Sequence, residues 1–72
     1  MRRRKLLPVE IWEQSQIARA AYFTACRFLG RGRYDTRRAE TQAEAEAIGR
    51  AMGGAMIYAV TPEGRTIHVR NV

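Results

Sequence analysis

The sequence predicts a small two-layer α+β domain, in which an antiparallel sheet is covered on one face by a central helix. Two segments alternate polar and apolar residues on either side of a glycine-containing turn, as β-hairpins do. A capped, alanine-rich segment lies between them, and a short helical segment comes first. The predicted element order is therefore αββαββ. We expect residues 1–7 to be a basic flexible tail and residues 8–72 to be a single domain with one core.

The first helix is predicted over residues 8–20. Pro8 suits a first turn, and Glu10 and Glu13 follow where acidic side chains favour the helix dipole. The apolar residues of this segment do not form one stripe, so we expect the helix to lie at the edge of the domain or against a partner. Trp12 has two interpretations: a core residue, which is the commoner role, or a side chain that fills a partner's pocket.

The first hairpin is predicted from residue 22 to about residue 40, around the turn Gly30-Arg31-Gly32. A three-residue loop pairs Phe28 with Tyr34, whereas a two-residue loop shifts every pair. We prefer the first because it collects apolar side chains on one face and leaves arginines in water on the other. In this register Cys26 pairs with Thr36, Leu29 with Arg33, Arg27 with Asp35 and Ala25 with Arg37. The side chains predicted to be buried are Tyr22, Cys26, Phe28 and Tyr34. Arg38 is predicted to lie on the same side of the hairpin as these four.

The second helix is the best-marked element of the sequence. Thr41 and Glu44 have the spacing of a capping box, and the alanine-rich run that follows ends near residues 53–54, which are both glycine. Ala45, Ile48 and Met52 recur at helical spacing and form the predicted buried stripe.

The last segment predicts a second hairpin, because Pro62 and Gly64 suit a type I turn followed by a glycine bulge. The predicted core pairs are Ile57 with Val69 and Ala59 with Ile67. On the opposite face Tyr58 meets His68 and Val60 meets Thr66, unless the turn shifts the register by one residue.

No catalytic, cofactor-binding or metal-binding residue is predicted, and we expect no enzyme and no small-molecule substrate. His68 is the single histidine and Cys26 the single cysteine, so no spacing fits a zinc site. A nucleophilic Cys26 would need His68 as its base, and a small hydrophobic role is much commoner for such a residue. Gly30 and Gly32, like Gly53 and Gly54, lack the lysine and the strand-to-helix context of a phosphate-binding loop. A turn explains the first two, and a helix end explains the others.

The formal net charge is +6, but it is unevenly distributed. Arg2, Arg3, Arg4 and Lys5 supply four of the positive charges, and residues 6–72 carry nine basic and seven acidic side chains, a balance of +2. The apolar run after the tail is too short for a secretion signal, and no stretch reaches the roughly 18 apolar residues of a membrane span. A lone cysteine also fits a reducing compartment, so we expect a cytoplasmic protein without a membrane partner.

Five arginines lie within the twelve residues from Arg27 to Arg38. A two-stranded ribbon that displays guanidinium groups suits phosphate partners and fits the major groove of DNA. The first hypothesis is therefore nucleic-acid binding, to DNA or RNA, with the tail lying along a backbone or in a minor groove. The predicted contact residues are Arg27, Arg31, Arg33 and Arg37 of the hairpin and Arg2, Arg3, Arg4 and Lys5 of the tail.

The order of a hairpin followed by a capped helix, residues 22–52, resembles the arm-type DNA-binding domains of tyrosine recombinases. The leading helix and the second hairpin depart from that family, which has three strands and a trailing helix. No residue role therefore follows from this resemblance, which covers less than half of the chain.

The alternative hypothesis is a protein-interaction or regulatory module that binds an acidic protein surface or forms a homodimer. Open strand edges invite pairing with another chain, and Trp12 is a possible partner contact. The arginines would then be an ordinary solvated face, since Arg27 can pair with Asp35 and a balance of +2 is small for a DNA-binding domain. Membrane-surface binding through the tail and first helix is opposed by Glu10 and Glu13.

Overall fold

The protein has the predicted α+β architecture. A computed structural model describes residues 5–72, so the predicted tail contacts Arg2, Arg3 and Arg4 lie outside the described residues. The four strands form one antiparallel sheet in the order β2-β1-β3-β4. In chain order the elements are α1 (Pro8–Ala18), β1 (Tyr22–Gly30), β2 (Arg33–Ala39), α2 (Gln42–Ala51), β3 (Met56–Val60) and β4 (Thr66–Asn71).

Helix α2 begins and ends as its sequence predicts. The hydroxyl Oγ1 of Thr41 accepts a hydrogen bond of 3.1 Å from the backbone N–H of Glu44. The Glu44 carboxylate in turn accepts one of 3.1 Å from the backbone N–H of Glu40, one residue further back than in a standard capping box. At the other end Gly53 has φ +88°, and the N–H of Gly54 donates to the carbonyl of Gly49 at 2.9 Å. This is a Schellman ending, in which glycine adopts the left-handed conformation without a steric penalty.

The core between α2 and the sheet consists mainly of small side chains. Ala25, Ala45 and Ile57 are fully buried, and Ala39 is nearly so. Gly49 faces the same interface, where an added Cβ would lie 3.2 Å from the Cδ1 atom of Ile57. Because these residues are small, the backbone of α2 approaches the sheet closely.

The predicted burial of the first hairpin is wrong, although most of its register is confirmed. Phe28 pairs with Tyr34 and Cys26 with Thr36, as expected. However, α2 packs on the face of Ala25, and Phe28 and Tyr34 are 55% and 57% exposed. The prediction assumed that the more apolar face is covered, whereas a close-packed helix selects the face with small residues.

A second difference in this hairpin arises at its turn. A β-bulge between residues 28 and 30 places Gly30, and not Leu29, opposite Arg33. Arg31 at the tip has φ +53°, which is the left-handed region. The bulge leaves Leu29 53% exposed.

In the second hairpin, Ala59 pairs with Ile67 and Tyr58 with His68, as predicted. The predicted pair of Ile57 with Val69 is wrong, because a bulge beside Ile57 brings Arg70 opposite it instead. The turn closes with a hydrogen bond of 2.9 Å from the N–H of Gly64 to the carbonyl of Thr61, and Gly64 has φ +85°, which agrees with the predicted turn.

Helix α1 contacts β3 and β4, whereas α2 contacts β1, β2 and β3. The two helices share one face of the sheet. By strand alternation Arg65 lies on the side of the buried Ile67, and its guanidinium lies 5.2 Å from the ring centroid of Trp12 in α1. Trp12 is 41% exposed, so its interpretation as a core residue is wrong.

Candidate functional site

The sheet face opposite the two helices is here called the open face. Side chains alternate along β1, which places Tyr22 and Phe28 on this face. Tyr58 of the neighbouring inner strand β3 lies on the same face, opposite Thr24. Neither helix covers this face within the described residues. Its side chains are Tyr22, Thr24, Cys26, Phe28, Tyr34, Thr36, Arg38, Met56, Tyr58, Val60, Thr66, His68 and Asn71.

The centre of the open face is a depression of about 570 Å³. It runs from Tyr22 and Val60 at one end to Tyr34 near the hairpin tip. Its floor is formed by short side chains such as Thr24 and Cys26, and the Thr36 hydroxyl donates to the Cys26 Sγ atom at 3.4 Å. The taller aromatic rings stand at the ends and side of this floor, which makes the sheet surface concave.

The aromatic rings of the open face form three contacts with neighbouring side chains. The Arg38 guanidinium lies over the Tyr22 ring, 3.9 Å from its centroid, which is cation–π geometry. At the hairpin tip the ring centroids of Phe28 and Tyr34 are 5.2 Å apart. Between β3 and β4 the Tyr58 and His68 rings meet edge to face, with centroids 5.5 Å apart. These contacts hold flat π surfaces in place on a rigid sheet.

The acidic residues are segregated from this face. Asp35 is the only acid in the four strands, and alternation places it on the helix face, where its carboxylate binds Arg37 at 3.2 Å. The other six acids lie in the helices and the connecting segments. Among the described residues the open face carries Arg38 and no carboxylate, so its local potential favours anions although the domain as a whole is only weakly basic.

Two of the glutamates on the helix side are held in their charged form. The pKa of Glu46 lies below its ordinary value, first because the Gln42 side chain donates to its carboxylate at 2.9 Å and also because Arg70 and Arg50 lie nearby. The pKa of Glu63 is lowered chiefly by a hydrogen bond from Arg19. Four arginines on this side, Arg19, Arg37, Arg50 and Arg70, are therefore paired with the protein's own carboxylates.

The predicted contact residues of the hairpin fall into two pairs. Arg27 is exposed, but its guanidinium donates to the carbonyl of Met52 at the end of α2. Arg37 binds Asp35. Arg31 and Arg33 are exposed at the tip and form no ion pair with another described residue.

Lys5, the one predicted tail contact among the described residues, is exposed just before α1. Arg38, which was predicted to lie beside the core, is instead on the open face. The signal that could have located it is the alternation of alanines in the strands: Ala25 and Ala39 mark the side that receives the helix, and Arg38 is out of phase with both.

Residues 5–72 contain no cluster of three or more histidine, cysteine, aspartate or glutamate side chains that could hold a metal ion. In the same part of the chain, neither helix has the length and apolar character needed to cross a membrane.

Comparisons with known proteins find no match to this chain among protein-family models, among curated proteins or among solved structures. The geometry of the open face is therefore the basis for any functional inference.

Proposed function

We propose that this protein binds nucleic acid through the open face of its sheet. The observation that carries the proposal is a concave surface that combines exposed aromatic rings with the cation Arg38 and, among the described residues, contains no carboxylate. A solvent-exposed set of aromatic residues is costly to leave without a partner, and nucleic acids offer both stacking faces and phosphates. An acidic protein surface would match the charge but would not need the aromatic rings.

The proposed phosphate contacts among the described residues are three arginines at the hairpin tip or on the open face, none of which has a carboxylate partner in this part of the chain. Arg31 and Arg33 lie at the hairpin tip, and Arg38 stands within the open face. The tail, from Arg2 to Lys5, is proposed to extend the positive surface and to contact backbone phosphates. Arg27 and Arg37 are engaged with Met52 and Asp35, so we expect them to contribute less.

Binding of fluorescently labelled oligonucleotides at a series of salt concentrations tests this proposal. Log affinity should fall linearly with log salt, with a slope that grows by about 0.7 per phosphate contact on a single strand and about 0.9 on a duplex. Replacing Arg31 and Arg33 together by alanine should weaken binding and reduce the slope by roughly 1.4 on a single strand and roughly 1.8 on a duplex.

The double variant Arg50→Ala with Arg70→Ala is the matched control, because both arginines bind Glu46 on the helix side, at 3.3 Å and 3.5 Å. It removes the same type of charge from the opposite side of the sheet. Equal losses in the control and in the tip variant would contradict the proposed site, because they would indicate a response to net charge alone. Absence of binding at low salt would contradict nucleic-acid binding itself.

A second candidate function is binding of a protein partner through α1, and the exposure of its apolar residues favours it. Ile11 is 55% exposed and Trp12 is 41% exposed, as is Leu7 just before the helix, at 55%. Sedimentation at increasing protein concentration would detect a homodimer, and Ile11→Ser should shift a dimer to the monomer. A monomer at all concentrations would exclude self-association through this surface.

A further inference from the structure

We propose that the open face selects single-stranded nucleic acid, whose bases stack on the aromatic rings on either side of the depression. This inference rests on the proposed function and names its ligand. A base that arrives from solvent can contact the rings, since Phe28 is 55% exposed and Tyr34 is 57% exposed. In a duplex the faces of the bases are already stacked on one another, whereas the unstacked bases of a single strand can lie against aromatic side chains.

The spacing of the rings suits a chain of several nucleotides. Tyr22 and Phe28 are six residues apart on β1, which corresponds to roughly 20 Å at 3.3 to 3.4 Å per residue. The short side chains between them, including Thr24 and Cys26, leave the floor of the depression free. A strand that lies along β1 can therefore place bases at both ends and cross the polar floor between them.

The cations are placed to neutralise the backbone of such a strand. Arg38 already lies over a π system, 3.9 Å from the Tyr22 ring centroid, and its guanidinium can donate to a phosphate or stack on a base. Arg31 and Arg33 add positive charge at the tip beyond Phe28 and Tyr34, and by strand alternation Arg33 leaves β2 on the side of Asp35. Cations therefore lie at both ends of the row of rings, with Arg38 beside Tyr22 and the two tip arginines beyond Phe28.

The first test compares three probes of the same length: oligo-deoxythymidine, the same backbone with abasic sites, and a mixed-sequence duplex. We expect the single strand to bind most tightly and the abasic strand to lose most of this affinity. Phe28→Leu and Tyr34→Leu should each weaken single-strand binding by about fivefold or more, since one stacked base contributes roughly 1 to 3 kcal/mol. Trp12→Leu is the control on the opposite side, and it should bind like the unaltered protein.

The second test uses the single cysteine as a reporter of position. Cys26 lies half-buried in the floor of the depression, so a bound single strand should slow its alkylation by iodoacetamide. Circular dichroism should show unchanged folding of the leucine variants, because both rings are largely exposed.

The outcomes separate this inference from the proposed function. If the abasic strand or the duplex binds as tightly as the single strand, base stacking is refuted while nucleic-acid binding stands. If a single strand binds tightly but leaves the alkylation rate of Cys26 unchanged, the open face is not the site. If no probe binds at low salt, the proposed function fails as well. A concentration-dependent dimer that Phe28→Leu converts to a monomer would show that a second copy covers this face, which also overturns the inference.

Discussion

Replacing Gly49 with alanine tests why α2 lies on its observed side of the sheet. An added Cβ would be 3.2 Å from both the Ala55 Cβ and the Ile57 Cδ1, and 2.7 Å from the Val72 Cγ2. Two effects oppose each other. Alanine favours a helix over glycine by about 0.8 to 1 kcal/mol, whereas overpacking a core costs about 1 to 3 kcal/mol. Because Ile57 is fully buried and cannot move aside freely, we expect a net destabilisation of about 1 kcal/mol.

Urea denaturation followed by circular dichroism measures this difference in the free energy of unfolding. Ala47→Gly is the control, because Ala47 is an exposed residue of the same helix and reports helix propensity without packing. Adding Val72→Ala to Gly49→Ala removes the closest contact and should recover part of the loss. If Gly49→Ala instead stabilises the protein by about 1 kcal/mol, propensity alone governs this position. The close approach of α2 to the sheet would then be refuted.

Three further predictions concern the elements that position the open face. Arg27→Ala should destabilise the protein by about 1 kcal/mol in urea denaturation, because it removes the hydrogen bond to the Met52 carbonyl, whereas Arg33→Ala should change stability by less than about 0.5 kcal/mol. Equal effects of the two would contradict a structural role for Arg27. Thr41→Ala should cost about 1 kcal/mol and lower the thermal midpoint, since its hydroxyl caps α2; an unchanged midpoint would mean that the cap contributes nothing. The pKa of Glu46 is lowered in the folded state, so its ionised carboxylate contributes to the free energy of unfolding. This contribution is complete above the pKa of glutamate in the unfolded chain, about 4.3, and is lost as the pH falls through the lowered pKa of the folded state. Glu46→Gln should therefore reduce the acid sensitivity of the unfolding free energy measured between neutral and acidic pH, and an unaltered pH profile would exclude this linkage.

Local signals in the sequence were sufficient for most of the fold. The capping residue Thr41 and the glycines after Met52 locate α2 to within a residue or two, because helix ends depend on nearby side chains and backbone angles. The turn glycines and the polar–apolar alternation likewise predicted both hairpins and most of their pairs. The bulges that moved Leu29 and Val69 out of register had no local signal of comparable strength.

The candidate site was predicted only in part, because the sheet face that α2 covers depends on tertiary packing. Arg31 and Arg33 were correctly expected to be exposed, since a turn projects into solvent whichever face is covered. Arg38 was assigned to the buried side, because the amount of apolar surface was used to choose the face that the helix covers. The free energy gained on burial grows with the apolar area that is buried. However, the helix must also approach the sheet closely, and this requirement favours alanine and glycine over tyrosine and phenylalanine at the interface.

Residue order alone was enough to specify the elements, their order and the alternation of side chains along each strand, since these follow from short-range backbone geometry and hydrogen bonding. Tertiary packing decided which of the two faces became the core. The burial of Ala25 in one cluster with Ala45 and Ile57 directs Tyr22, Phe28 and Arg38 to the opposite side. One choice of face thus converts the predicted aromatic core into an exposed surface, because every side chain of a strand changes sides together.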